Sequence, residues 1–211
     1  MILLVHTKSN TDWFARLFDD NSVKQLFKGM QFQGCRPIFK LETLKTFKSS
    51  GSTPSEIVIA CGLCSEDILE IEDFHSVKAI IAIPWLADEL DKWLKTWNPT
   101  ELRGNKQIVI VYPDPSDVVK KAMIDLSASI NMSTGISHHS DNERAKTYIL
   151  ALYKYEPSLE VGIVGAYLRK ELNWSNSDAK DIEQLINTLN VGKHFKGGVR
   201  TGLQNYYKKW K

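Results

Sequence analysis

The sequence lacks any apolar run long enough to cross a bilayer, and that excludes a helical membrane span and a membrane partner. The opening Met-Ile-Leu-Leu-Val-His is apolar. It has no basic residue ahead of it and breaks at His6-Thr7-Lys8, so it reads as a buried strand and not as a signal peptide. Cysteine is scarce: Cys35, Cys61 and Cys64 are odd in number and follow no disulfide spacing. That pattern points to a reducing compartment, and the expected location is the cytoplasm.

Several chemical signatures are also missing. No Gly-x-Gly-x-x-Gly follows the first strand candidate, and no Gly-x-x-x-x-Gly-Lys-Ser/Thr occurs, which argues against the common nucleotide sites. No Gly-x-Ser-x-Gly elbow is present. Cys61-Gly62-Leu63-Cys64 has redox spacing, but it has no second cysteine pair to build a zinc site, and His75, His138 and His139 are scattered. No catalytic residue, metal ligand or cofactor is expected.

The most informative absence is acidic. Glu183 is the last carboxylate residue, and the 28 residues after it carry Lys193, Lys196, Arg200, Lys208, Lys209 and Lys211. Four glycines (Gly192, Gly197, Gly198, Gly202) and the aromatics Phe195, Tyr206, Tyr207 and Trp210 share this stretch. Cations replace condensed counterions, glycines allow close backbone approach, and aromatic faces stack on bases, so the composition suits a polyphosphate partner.

Charge divides the chain. Residues 143–211 hold 12 Lys/Arg against 7 Asp/Glu, a balance of +5, and the rest holds 15 against 18, a balance of −3. Two modules with different jobs are expected. Residues 1–131 read as an α/β Rossmann-like module. Apolar runs at 2–6, 37–41, 56–61, 77–83 and 106–112 alternate with segments of helical spacing. Five such strands predict a parallel, flavodoxin-like sheet covered on both faces. In that module 84–98 reads as one helix carrying Trp85, Trp93 and Trp97, and a further helix follows Pro115. Ligands of such sheets sit beyond the carboxyl ends of the strands, so a pocket there would be lined by Thr7, Ser9, Cys61, Trp85 and Asp114.

An α/β module followed by a basic one is similar in layout to bacterial response regulators. The residues that a phosphorylated receiver needs are not there: Thr7-Lys8, Cys61 and Tyr112-Pro113 stand at those places.

Residues 132–142, polar and containing His138-His139, read as a linker or loop. In residues 143–211, helical spacing at 143–155, 159–172 and 178–190 precedes Gly197-Gly198, which sits between Phe195 and Val199 like a hairpin turn. Three helices and a basic hairpin predict a winged helix-turn-helix, with Lys196 and Arg200 on the wing. Asp178, Asp181 and Glu183 near the start of the third helix oppose its entry into a groove, leaving contact to the hairpin and last helix.

The first reading is a non-enzymatic, nucleic-acid-binding regulator, DNA ahead of RNA, with an α/β sensory or docking module. Its site residues are Lys193, Lys196, Arg200, Lys208, Lys209 and Lys211. The alternatives are an α/β enzyme acting on a phosphorylated or nucleotide-like substrate at the strand ends, and an adaptor subunit that meets a protein partner.

Overall fold

β-Branched runs near the start of the chain build a five-stranded sheet in a mixed α/β architecture. The computed structural model describes residues 1–49, 56–102 and 112–211. Its strands are β1 (Ile2–Val5), β2 (Met30–Gln31), β3 (Ile38–Thr43), β4 (Glu56–Cys61) and β5 (Val77–Ile83), in the spatial order β2-β3-β1-β4-β5. β1 pairs in parallel with β3 and β4, and β4 with β5. β1 is buried along its whole length, as its unbroken apolar sequence requires.

The sheet is mixed, which corrects the expectation of a purely parallel one. β2 runs antiparallel to β3 at the edge, pairing Met30 with Phe39 and Gln31 with Ile38. A tight reversal allows this without a crossover helix. The Cys35 N–H bonds the Phe32 carbonyl, Gly34 takes a φ of 81°, and the Gln31 amide donates to the Cys35 and Arg36 carbonyls. The strand expected at 106–112 lies, apart from Tyr112, outside the described residues.

The helices of this part are α1 (Asp12–Leu17), α2 (Asp20–Leu26), α3 (Leu44–Ser49), α4 (Ser65–Glu72) and α5 (Asp91–Trp97). Phe14 and Leu26 pack with Leu3, Val5, Leu41 and Cys61 in one apolar cluster. The three tryptophans do not share one long helix. The Glu89 carboxylate accepts the Trp85 and Leu86 N–H groups, so residues 84–90 form a turn and α5 starts only at Asp91. Trp93 is core, with its indole N–H on Glu72, while Trp85 and Trp97 are partly exposed.

The chain divides within α5 into two units, Met1–Trp93 and Leu94–Lys211. The second contains α6 (Asp117–Ser129), α7 (His139–Tyr155), α8 (Val161–Leu172), α9 (Asn176–Asn190) and α10 (Leu203–Trp210). Val119, Ala122, Met123 and Leu126 of α6, the helix after Pro115, pack with Ala145, Ile149 and Leu152 of α7 and Ile182 and Ile186 of α9. α6 therefore belongs to the helical core. Ile136 is buried in the same cluster, so the polar segment before α7 is a loop within one body.

No winged helix forms. The described backbone of residues 191–202 contains no strand. Its donors go to side chains of α7 instead of across a hairpin: Gly198 N–H to Glu143 Oε2 at 2.6 Å and Val199 N–H to Thr147 Oγ1 at 2.8 Å. Gly197 and Gly198 take φ values of 92° and 73°, and a Cβ on Gly197 would strike the Glu143 carboxylate. Glycine serves here to seat a loop on a helix.

Candidate nucleic-acid interface

The C-terminal segment is held against its own unit by carboxylates. Glu143 takes the Gly198 N–H and the Lys146 ammonium, the latter at 3.0 Å. Asp125 of α6 takes the Lys209 ammonium on both oxygens at 2.8 Å, the Trp210 indole N–H at 3.0 Å and the Tyr148 hydroxyl at 2.9 Å. Glu156 accepts the Tyr207 hydroxyl at 2.8 Å and the Ser116 hydroxyl at 2.7 Å. Glu143 lies below its ordinary carboxylate value because the Gly198 N–H and then Lys146 favour its ionised form. For Asp125, burial pushes upward, but the bonds from Lys209, Trp210 and Tyr148 together outweigh it and hold the group low.

Of the expected contact residues, Lys193, Lys196 and Lys208 are exposed and make no ion pair among the described residues. Arg200 is exposed, and one guanidinium N–H donates to the Phe195 carbonyl at 3.0 Å. Lys209 is engaged by Asp125, and the Lys211 carbonyl accepts from Lys121. The outward face of α10 consists of Gln204, Asn205, Lys208 and Lys209. The aromatics pack against their own unit, Trp210 buried and Phe195, Tyr206 and Tyr207 partly so. Trp210 is 2 % exposed and packs on Tyr148 at 4.8 Å between ring centroids, Tyr206 also lies on Tyr148, and Tyr207 lies on Tyr155. Phe195 packs against the same core. What remains exposed are the cations Lys193, Lys196, Arg200 and Lys208.

The carboxylates that argued against α9 are not all on its surface. Glu183 is buried and bonded to Arg169 Nη1 at 2.6 Å. Asp178 accepts the Ser175 hydroxyl at the helix start, and a Cβ on Gly135 would collide with it. Asp181 remains exposed, with its carboxyl raised by partial burial and by Asp178.

In the first unit, Thr7 and Ser9 join hydroxyls at 2.7 Å in the turn after β1, and Thr7 also bonds Asn10. Cys61 is 1 % exposed, and burial pushes its thiol up to about 12, so it gives the strand ends no nucleophile. Burial raises the Cys64 thiol too, and the backbone N–H groups at the start of α4 offset this only in part. The Trp85 indole covers Gly62 and leaves no room for a Cβ there, and the φ of 61° at Gly62 favours glycine as well. Asp114 belongs to the second unit, where Lys120 binds it at 2.5 Å.

Sequence reasoning missed one cluster at the ends of β1 and β4: Asp67 accepts the Cys64 thiol at 3.4 Å and lies 4.0 Å from His6 Nε2. His6 and Asp67 are 61 positions apart, and only the adjacency of β1 and β4 brings them together. A shallow depression, lined by Asn131, Thr134, Ser137, His138 and Asp141, opens at the start of α7, with His138 capping the helix. Among the described residues no three His, Cys, Asp or Glu side chains are placed to hold a metal ion, and no helix is long and apolar enough to cross a membrane.

No curated protein and no solved structure matches the chain. Residues 115–211, which span α6 to α10, match a family described as Domain of unknown function (DUF1889).

Proposed function

We propose that the second unit binds nucleic acid, DNA ahead of RNA, through the exposed cations of its C-terminal loop and helix. The observation that carries this reading is the exposure of Lys193, Lys196, Arg200 and Lys208 in a stretch without a carboxylate, on backbone anchored to α7. An anchored loop loses little conformational freedom on binding. With Trp210 in the core and Phe195, Tyr206 and Tyr207 partly covered, contact is mainly to phosphate, and the expected binding is weakly sequence-dependent. The first unit acts as the sensory or docking part of a regulator. Three unpaired cysteines support a reducing, cytoplasmic setting.

A second reading, docking to an acidic protein partner, is favoured by one observation: Val191 and Val199 are 58 % and 52 % exposed in the same basic loop. An NMR titration of the full chain with a short DNA duplex separates the two. Nucleic-acid binding predicts saturable shifts at Lys193, Lys196, Arg200 and Lys208 that collapse on adding salt. No shifts at low salt would leave the protein-docking reading.

A further inference from the structure

The acids that hold the C-terminal segment are bound by the donors that a phosphate would recruit. Asp125 receives an ammonium on both oxygens, together with an indole N–H and a phenol. Glu143 receives the backbone N–H of Gly198, the second of two positive-φ glycines, and an ammonium from Lys146. The Gly198 N–H is a single backbone donor directed at an anion, and the next one, of Val199, goes to Thr147 Oγ1.

The first pair opens to solvent at its lysine, and the second is more covered. The Lys209 and Asp125 side chains are 61 % and 25 % exposed, and those of Lys146 and Glu143 are 17 % and 32 % exposed. The ammonium contacts by themselves contribute little, so an incoming anion takes the lysine while Trp210, Tyr148 and Gly198 keep their carboxylates. Arg169 and Glu183 differ: their side chains are 3 % and 7 % exposed, and no ligand reaches them.

We propose that Asp125 and Glu143 are internal substitutes for nucleic-acid phosphate, which mask Lys209 and Lys146 until a polyanion displaces them. This rests on the nucleic-acid reading of the same surface and adds self-masking to it. The apparent affinity of the intact chain is then set by competition between its own carboxylates and phosphate. The masked cations enlarge the binding surface beyond Lys193, Lys196, Arg200 and Lys208.

The test is fluorescence anisotropy with a labelled duplex at several salt concentrations. Asp125→Asn keeps an acceptor for Trp210 and Tyr148 and releases Lys209. It should bind about three- to tenfold more tightly at low salt, with a salt slope steeper by about 0.9, one additional phosphate contact. Asp117→Asn makes the same charge change at an exposed position of α6 that bonds nothing in the C-terminal segment, and it should give a smaller gain. Asp125→Asn with Lys209→Gln should bind no better than Lys209→Gln alone. Glu143→Gln keeps an acceptor for Gly198 and releases Lys146, giving an independent second measurement should Asp125→Asn fold poorly.

If the native chain binds and neither variant exceeds Asp117→Asn, masking is overturned and the nucleic-acid reading stands. If neither the native chain nor any variant binds at low salt, both are overturned.

Discussion

Arg169 of α8 and Glu183 of α9 form a 2.6 Å ion pair buried between their helices, with Asn176 accepting the Arg169 Nε–H at 2.9 Å. Gly165 makes room for the pair, because a Cβ there would strike the Glu183 carboxylate. Arg169 Nη2 is buried and has no hydrogen-bond partner among the described residues. Removing one partner of such a pair leaves an uncompensated charge in the core. Arg169→Met should lower unfolding stability by about 3–5 kcal/mol, and Arg169→Met with Glu183→Leu should recover much of that loss. Urea denaturation measures both. Equal stability of Arg169→Met and the native chain would refute the structural role given to this pair.

That pair shows what the sequence conceals. Glu183 looks like a surface acid near the start of a helix, and its burial depends on a residue 14 positions earlier in another helix. The long β-branched runs at 56–61 and 77–83 and the helical spacing after residue 143 were legible because each pattern is local. β2 was not, since two residues have no periodicity. The fate of Gly197-Gly198 was not legible either. As a dipeptide it suits a hairpin, but its hydrogen-bond partner is Glu143, and the pairing spans 55 positions. The cations of the candidate interface were legible as composition, while the acids that oppose them lie on α6 and α7.

The glycine loop offers a direct check on that seating. Gly197→Ala places a side chain at a φ of 92° and against the Glu143 carboxylate. It should cost about 1–3 kcal/mol, the scale of a strained backbone residue, and speed hydrogen exchange at the Gly198 and Val199 amides. Thermal unfolding and amide exchange read the two effects. Unchanged protection at both amides would contradict the seating of the loop on α7.

Acid should loosen the same segment. Asp125 and Glu143 lie below their ordinary values of 3.8 and 4.5 in the folded chain. A depressed carboxylate contributes stability above its unfolded value, and that contribution disappears as pH falls through the folded value. Docking should therefore be tightest at neutral pH and weaken progressively as pH drops below the ordinary values. The Trp210 indole and Gly198 amide resonances report it. Both remaining unshifted after the two carboxylates have been titrated would argue against carboxylate anchoring.

Thiol chemistry should single out Cys35. It is exposed, while Cys61 is buried with its thiol pushed up to about 12 and Cys64 is partly buried and also raised. A disulfide reagent at neutral pH should modify one thiol per chain quickly and the other two only on unfolding. Rapid modification of all three in the folded chain would reopen a redox role for Cys61 and Cys64.

The proposed nucleic-acid contact of the second unit centres on Lys196 and Arg200, on the loop anchored by Glu143 and Thr147. Its most direct test is the salt dependence of duplex binding by the native chain and by Lys196→Ala with Arg200→Ala, followed by fluorescence anisotropy. Each phosphate contact contributes about 0.9 to the slope of log affinity against log salt, so the double variant should bind more weakly to every sequence and lose about one to two units of slope. Its unfolding stability should stay within about 0.5 kcal/mol of the native chain, since both residues are exposed. Steep salt dependence that flattens in the variant is the predicted result, and no binding by the native chain at low salt, or an unchanged slope in the variant, would contradict it.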